Sequence, residues 1–368
     1  MKPLLALLLL SPLAGLHAAD GFPPFSWDHV PVYAHLGKQS DDFTPAQLDF
    51  LAGHFNFIAI EKGQASRKRG STEAGFAEAA RQIKQRNPAA KVLFYWNTFL
   101  DVPGYDAKHG VPADGHLKDR RGQPVIVRKT LPTYDLSHAD VRAWWSDTAA
   151  RAVRAEGADG IFADAVEQVT TPTKRKLLGD EKYDALTNGL TAMFQETREK
   201  IGPDKLIIFN GLRNDDGGSF LPATSGAMIE HFGYFSSASK ENMARDLAVM
   251  NATGRAGKIV ILKAWPGFSW LDKDMMKQPH AELAQLARER ITFPLACFLV
   301  ATEPNCYFCY TWGYGENDGT LDWYPEFDQP LGPPLGEAKR TGWLYQREFA
   351  HASVSVNLET KSARIDWK

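Results

Sequence analysis

A chain of 368 residues with 42 Lys and Arg against 44 Asp and Glu, a formal net charge of −2, carries no electrostatic footprint for nucleic acid or an anionic membrane surface. Its three cysteines, Cys297, Cys306 and Cys309, are too few for a disulfide framework to hold a protein of this size together. At 44% hydrophobic residues the chain has ample material for a core, so one large barrel with insertions or two medium domains both fit.

Residues 1–19 read as a secretory signal: Lys2, an apolar run over 4–16 broken by Ser11-Pro12, and small Ala18 and Ala19 at the cleavage point. That run is too short to span a bilayer, and no later stretch is long and apolar enough to do so. With no Cys near the cleavage point for a lipid anchor, export to the periplasm or the medium is expected, without membrane insertion.

From residue 30 onward, strand-like and helical runs alternate. Residues 30–35 (VPVYAH) form the first strand, and Thr44-Pro45 then opens a helix with an N-cap and a proline in the first turn. Residues 57–60 form the second strand, ending at Glu61. A helix over about 72–85 stops before Asn87-Pro88, and residues 91–96 (KVLFYW) lead to Asn97. The next interval, 98–133, is rich in Gly, Pro and charge. It predicts a hairpin around Gly122 that walls a binding groove. After Asp135, residues 139–155 read as a helix with Val141, Trp144, Trp145, Ala149 and Val153 on one face.

The fourth strand, within DGIFADAVEQ (159–168), ends at Asp164. A helix over about 183–201 precedes the fifth strand, 206–209, which ends at Asn210. Residues 227–229 form the sixth, ending at Glu230-His231. A helix over 240–251 is followed by the seventh strand, 259–262, with Lys263, Ala264 and Trp265 after it. A helix over 281–300, bent at Pro294, then precedes the eighth, 306–310, which ends near Trp312. Eight strands alternating with helices predict a (β/α)8 TIM barrel over residues 20–335. Period-two alternation around Val354 and Val356 predicts a small C-terminal β hairpin, within residues 336–368, packed on the barrel. Cys306 and Cys309 fall on opposite faces of one strand, which disfavours a bridge or a shared metal between them. Buried free thiols are the better reading, with a bridge between Cys297 and Cys306 left open.

Side chains at the carboxyl ends of barrel strands point into the ligand crevice. The DGIFAD strand after YDLSHADVRAWW, the strand ends carrying Glu61, Asn97, Asn210 and Glu230, and WYPEFDQPLGPP before a VSVN tail resemble the hypothetical bacterial glycoside hydrolase-like barrels. The resemblance covers residue 30 to the C-terminus. It implies kinship with retaining α-glycosidase barrels, in which the Asp ending strand four is the nucleophile and an acidic residue ending strand six is the acid/base. Those positions correspond to Asp164 and Glu230.

The chemistry of the residues points the same way. Glycoside hydrolysis needs one ionised and one protonated carboxyl group flanking the scissile bond, and strands four and six lie one strand apart. Glu61, on strand two, and Glu167, three residues past Asp164, are the competing carboxylates. A Glu230–Lys263 ion pair would be the purely structural use of Glu230. Around the pair, Tyr33, Trp96, Trp265 and Trp312 are candidate stacking surfaces for sugar rings, and Glu61, Asn97, Asp135, Asn210 and Lys263 candidate partners of sugar hydroxyls. His231 reads as a hydrogen-bonded neighbour, and Arg67-Lys68-Arg69 as a solvated face. No metal-ligating histidine pair or phosphate-binding glycine loop occurs, so no cofactor is expected. The expected partner is an oligo- or polysaccharide, with a non-catalytic carbohydrate-binding barrel as the rival reading.

Overall fold

The computed structural model describes residues 21–213 and 218–368, so the export signal expected over residues 1–19 lies outside the described residues. Eight parallel strands follow one another in chain order around a single sheet: β1 (Ala34–Leu36), β2 (Phe57–Ile60), β3 (Lys91–Asn97), β4 (Gly160–Asp164), β5 (Leu206–Asn210), β6 (Gly226–Phe232), β7 (Ile259–Ala264) and β8 (Cys306–Tyr310). Parallel bridges from Val32 to Phe308 and from Gly37 to Gly315 bring β1 back to β8. At this seam Tyr33 N–H donates to the Phe308 carbonyl at 2.9 Å and Phe308 N–H to that of Pro31 at 2.8 Å. The sheet thus forms the expected TIM barrel, nearly closed. Runs such as Phe-Ile-Ala-Ile and Ile-Val-Ile-Leu are buried throughout, because helices cover the outer face and side chains fill the interior.

Local sequence sets the helices on the outside. In α1 (Pro45–His54), the Thr44 side chain accepts from Gln47 N–H while the Gln47 side chain accepts from Thr44 N–H, a reciprocal cap behind a proline in the first turn. Ser71 caps α2 (Thr72–Arg86). The helix α3 (Ala139–Ala155) turns Val141, Trp145 and Ala149 inward and lies beside α4 (Asp180–Ile201). Next comes α5 (Lys240–Arg255). The single helix expected over 281–300 is two, α6 (His280–Arg290) and α7 (Thr292–Ala301), and the break falls at Ile291 rather than at Pro294. Pro294 occupies the first turn of α7, where an N–H would have no helical acceptor, so the proline starts a helix instead of bending one.

All three cysteines are buried free thiols, and the bridge left open between Cys297 and Cys306 does not form. One further expectation changes in detail. The C-terminal hairpin is half of a four-stranded antiparallel sheet, β9 (Lys339–Thr341), β10 (Leu344–Glu348), β11 (Ala352–Asn357) and β12 (Ser362–Trp367). Of the two extra strands, β9 is three exposed polar residues, and in β10 (LYQRE) the apolar residues are adjacent rather than alternating, so periodicity gave neither a signal. β11 buries Ala352, Val354 and Val356 on the face toward α7. Arg347 of β10 is itself buried, and its guanidinium donates to the Leu299 and Thr302 carbonyls at the end of α7, satisfying acceptors that a helix end leaves open. In the long interval after β3, the chain turns over Asp119 to Gln123, with Gly122 N–H donating to the Asp119 carbonyl at 2.9 Å. Ile126–Val127 then pairs antiparallel with Leu131–Pro132.

Candidate active site

Asp164 ends β4 and Glu230 lies near the end of β6, with Asn210 ending β5 between them. The Asn210 amide nitrogen donates to Asp164 Oδ1 at 2.9 Å and to Glu230 Oε2 at 2.7 Å. Two oxygens so bound to one nitrogen are at most about 5.6 Å apart, so one oxygen of each carboxylate faces the same small space at the barrel mouth. Each carboxylate is followed by a non-glycine residue in the left-handed region, Ala165 at φ 68° and His231 at φ 59°. Such backbone is costly and persists where the surroundings impose it, commonly at functional sites.

The two carboxylates sit in different surroundings. Asp164 Oδ2 accepts from the Tyr95 hydroxyl and, at 3.4 Å, from the Asn97 amide. Glu230 Oε1 accepts from the Tyr314 hydroxyl, and His231 Nε2 lies 3.3 Å from Oε2. Burial pushes the Glu230 carboxyl up, and the charge of Asp164 adds to it. The Asn210 hydrogen bond and the Lys263 and Lys62 ammonium groups pull the other way, leaving it at about 7. Burial, helped by Lys263 and Arg213, pushes His231 down to about 3, so its ring stays neutral.

Glu61, the rival carboxylate, is committed elsewhere. Burial would raise it, but the Lys62 charge and the His35 hydrogen bond, at 2.7 Å, outweigh that and hold it at about 2. An acid that low is ionised across the working pH range and cannot donate a proton. Lys62, paired with Glu61, stands over the Tyr95 ring at 4.6 Å from its centroid. Burial would lower its ammonium, yet the Glu61, Asp164 and Glu230 carboxylates keep it raised and charged. Glu167 lies on a one-turn helix (Val166–Val169), 3.9 Å from Arg213.

The remaining candidates divide by position. Asn97 joins the site: its amide reaches Tyr95 and Asp164 while its Oδ1 accepts from Phe99 and Leu100 N–H. Lys263 is fully buried beneath the mouth, lowered by that burial, and bonded to Thr311, so it forms no ion pair with Glu230. Its Nζ lies 4.8 Å from the ring centroids of both Trp265 and Tyr314. Trp265 borders the site, tilted against His231 at 4.9 Å. The other four candidates are elsewhere. Tyr33 packs on Phe57 in the barrel interior, 2% exposed. Trp96 faces outward under α3, its Nε1–H donating to the Trp145 carbonyl. Asp135 is buried in a turn, bonded to Ser137 and Lys182. Trp312 is wholly buried against Phe268 and His280. Stacking on a sugar needs an accessible face, which none of these aromatic rings has.

Sequence reasoning missed His35, Tyr95 and Tyr314. Tyr95 shares strand parity with Asn97, a signal present in the sequence. Tyr314 stands on the loop after β8, where no periodicity operates. The Arg67-Lys68-Arg69 run forms surface ion pairs, Lys68 with Asp41 and Asp42 and Arg69 with Asp42. Among the described residues no group of three or more His, Cys, Asp or Glu side chains is placed to hold a metal ion.

Comparison with known proteins gives this geometry a setting. The model of a family described as hypothetical glycosyl hydrolase family 15 matches residues 84–353. Among solved structures, the α-amylase from H. orenii is similar at a TM-score of 0.52 and 10% identity, over 90% of each chain. A noncanonic maltogenic α-amylase from Thermotoga neapolitana is similar at 0.51 and 13%, over 89% of this chain and 84% of that one. Amy13B of Eubacterium rectale is similar at 0.51 and 10%, over 92% and 87%. At such identities the likeness is one of fold. No curated protein matches the sequence.

Proposed function

The chain belongs to hypothetical glycosyl hydrolase family 15 and is a glycoside hydrolase acting on carbohydrate, and from that premise we propose that it cleaves α-linked oligo- or polysaccharides with retention, using Asp164 as nucleophile and Glu230 as acid/base. In the first step an Asp164 oxygen attacks the anomeric carbon, the glycosidic C–O bond breaks, and the departing oxygen takes the proton of Glu230. In the second, a water loses its proton to Glu230 as its oxygen attacks the same carbon, and the bond to Asp164 breaks. One observation carries the reading: the single Asn210 nitrogen bound to both carboxylates, which keeps them close enough for direct attack.

The environments support the division of labour. Tyr95 and Asn97 donate to Asp164, as suits a carboxylate that must be ionised, while Glu230, raised to about 7, holds a proton at near-neutral pH. The α-linkage rests on the resemblance to α-glycosidase barrels and on the strand positions of the two carboxylates. The reading includes export, with residues 1–19 removed, for which an N-terminus at Asp20 in protein recovered from outside the cytoplasm is the check. The decisive experiment is incubation with a panel of α-glucans and bacterial exopolysaccharides, followed by NMR of the first-formed anomer. Release of the α-anomer from an α-linked chain supports the proposal, and the β-anomer overturns retention.

A further inference from the structure

Four rings lead away from Glu230 toward the surface. Tyr314, which donates to Glu230, stands edge-on to Trp265 with centroids 6.3 Å apart. Trp265 in turn is stacked with Tyr234 at 6.4 Å and an interplanar angle of 24°. Tyr234 meets Phe235 edge-on at 4.8 Å, and Phe235 also touches the His231 ring at 5.0 Å, so a second path returns to the residue beside Glu230. Phe235 is 52% exposed. It also holds a left-handed φ of 44°, which disfavours a bulky side chain and suits glycine or asparagine. Its two edge contacts still leave about half of the Phe235 side chain open to solvent.

Two rings of this strip, Tyr234 and Trp265, also border a groove. A cavity of about 430 Å³, within the ~300–1,000 Å³ usual for small-molecule sites, is bordered by Tyr234, Trp265, Glu289 and Arg290 on the barrel and by Lys361 and Ala363 of the C-terminal sheet. The turn carrying Lys361 is fastened beside it, since Glu359 pairs with Lys240 at the start of α5 at 2.5 Å. Aromatic faces followed by a few polar and charged groups suit the apolar faces and hydroxyls of consecutive pyranose rings.

Resting on the catalytic reading above, we infer that Tyr234 and Phe235, backed by the buried Trp265, with the groove closed by the C-terminal sheet, bind the leaving-group side of the substrate. The acid/base protonates the leaving oxygen, so the sugars released with that oxygen lie on the Glu230 side, where the strip begins. The substrate is therefore a chain with at least two sugar units beyond the cleaved bond, and the C-terminal sheet is part of its binding surface.

The test compares two substrates built on the sugar that the enzyme releases: an oligosaccharide with three units on the leaving side, and the corresponding glycosyl fluoride, whose leaving group carries no ring. In Phe235→Gly, which the backbone accommodates, and in Tyr234→Ala, the ratio of kcat/KM for oligosaccharide to that for fluoride should fall by about tenfold or more, as expected for lost ring stacking. Lys361→Gly, at a turn whose φ of 50° also suits glycine, should lower the same ratio several-fold. An unchanged ratio in all three variants would overturn the inference. Wild-type oligosaccharide turnover by Asp164→Asn would instead overturn the catalytic reading on which it stands.

Discussion

Asp164 and Glu230 are bound to one and the same Asn210 nitrogen, at 2.9 and 2.7 Å. That amide holds the spacing of the pair and also stabilises the charged form of Glu230. Asn210→Ala should therefore lower kcat by about 10²-fold, since misplacement of reacting groups by ~1 Å is that costly. It should also move the alkaline limb of the kcat/KM profile to higher pH, because loss of a bond to the ionised form raises a carboxyl pKa. A drop in activity with no shift of the limb would assign Asn210 a purely structural role.

Asp164→Asn should abolish turnover of oligosaccharides, with a melting temperature close to wild type, because the amide can keep the Tyr95 contact. Glu230→Gln should do the same for natural substrates but retain the first step on substrates with good leaving groups, which need no acid. Burst kinetics on an activated aryl glycoside measure this. Undiminished turnover of a natural substrate by Glu230→Gln would remove it from the acid role.

The pH profile follows from the same group. Glu230 must enter the reaction protonated, and with its carboxyl at about 7 the protonated fraction falls above neutrality. kcat/KM should hold up to about pH 7 and then decline about tenfold per unit. Lys263→Met removes a charge that pulls Glu230 down, so the limb should shift alkaline. A limb that stays in place would separate Lys263 from the titration.

Away from the mouth, burial first, then the neighbouring Glu73, raises Glu156 to about 7, and its Oε2 has no partner among the described residues. For a carboxyl with a raised folded-state pKa the folded protein binds the extra proton, so stability is lost as pH rises from about 4.5 to about 7. Glu156→Gln should leave the melting temperature unchanged at pH 4.5 and raise it at pH 8. After discounting for partial exposure the gain is on the order of 1 kcal/mol. Equal melting temperatures at pH 8 would show that water already satisfies the charge.

The barrel was legible because buried parallel strands print their burial as unbroken apolar runs, and Asp164, Asn210 and Glu230 stand where those runs end. The aromatic candidates were less so, for a reason the strands themselves contain. Neighbouring residues in a strand face opposite sides, so Trp96 cannot share the mouth with Asn97, whereas Tyr95 must. Tyr33, two residues before His35, shares its face but lies one layer deeper in the barrel, a depth that periodicity does not encode. Tyr314, on a loop, and the non-alternating strands β9 and β10 left no pattern to read.

The seam between β1 and β8 has a consequence for how the molecule is made. Tyr33 pairs with Phe308, so the first strand cannot find its second neighbour until almost the whole chain has been synthesised. Contacts so far apart in sequence carry a large loop-closure cost and slow folding. Until then both outer strands present unpaired backbone, the kind of edge through which partly folded chains associate. Chains released or cleaved before residue 306 would lack β8 altogether and should aggregate rather than fold, and in the intact protein amide exchange should be fastest along this seam among the barrel strands.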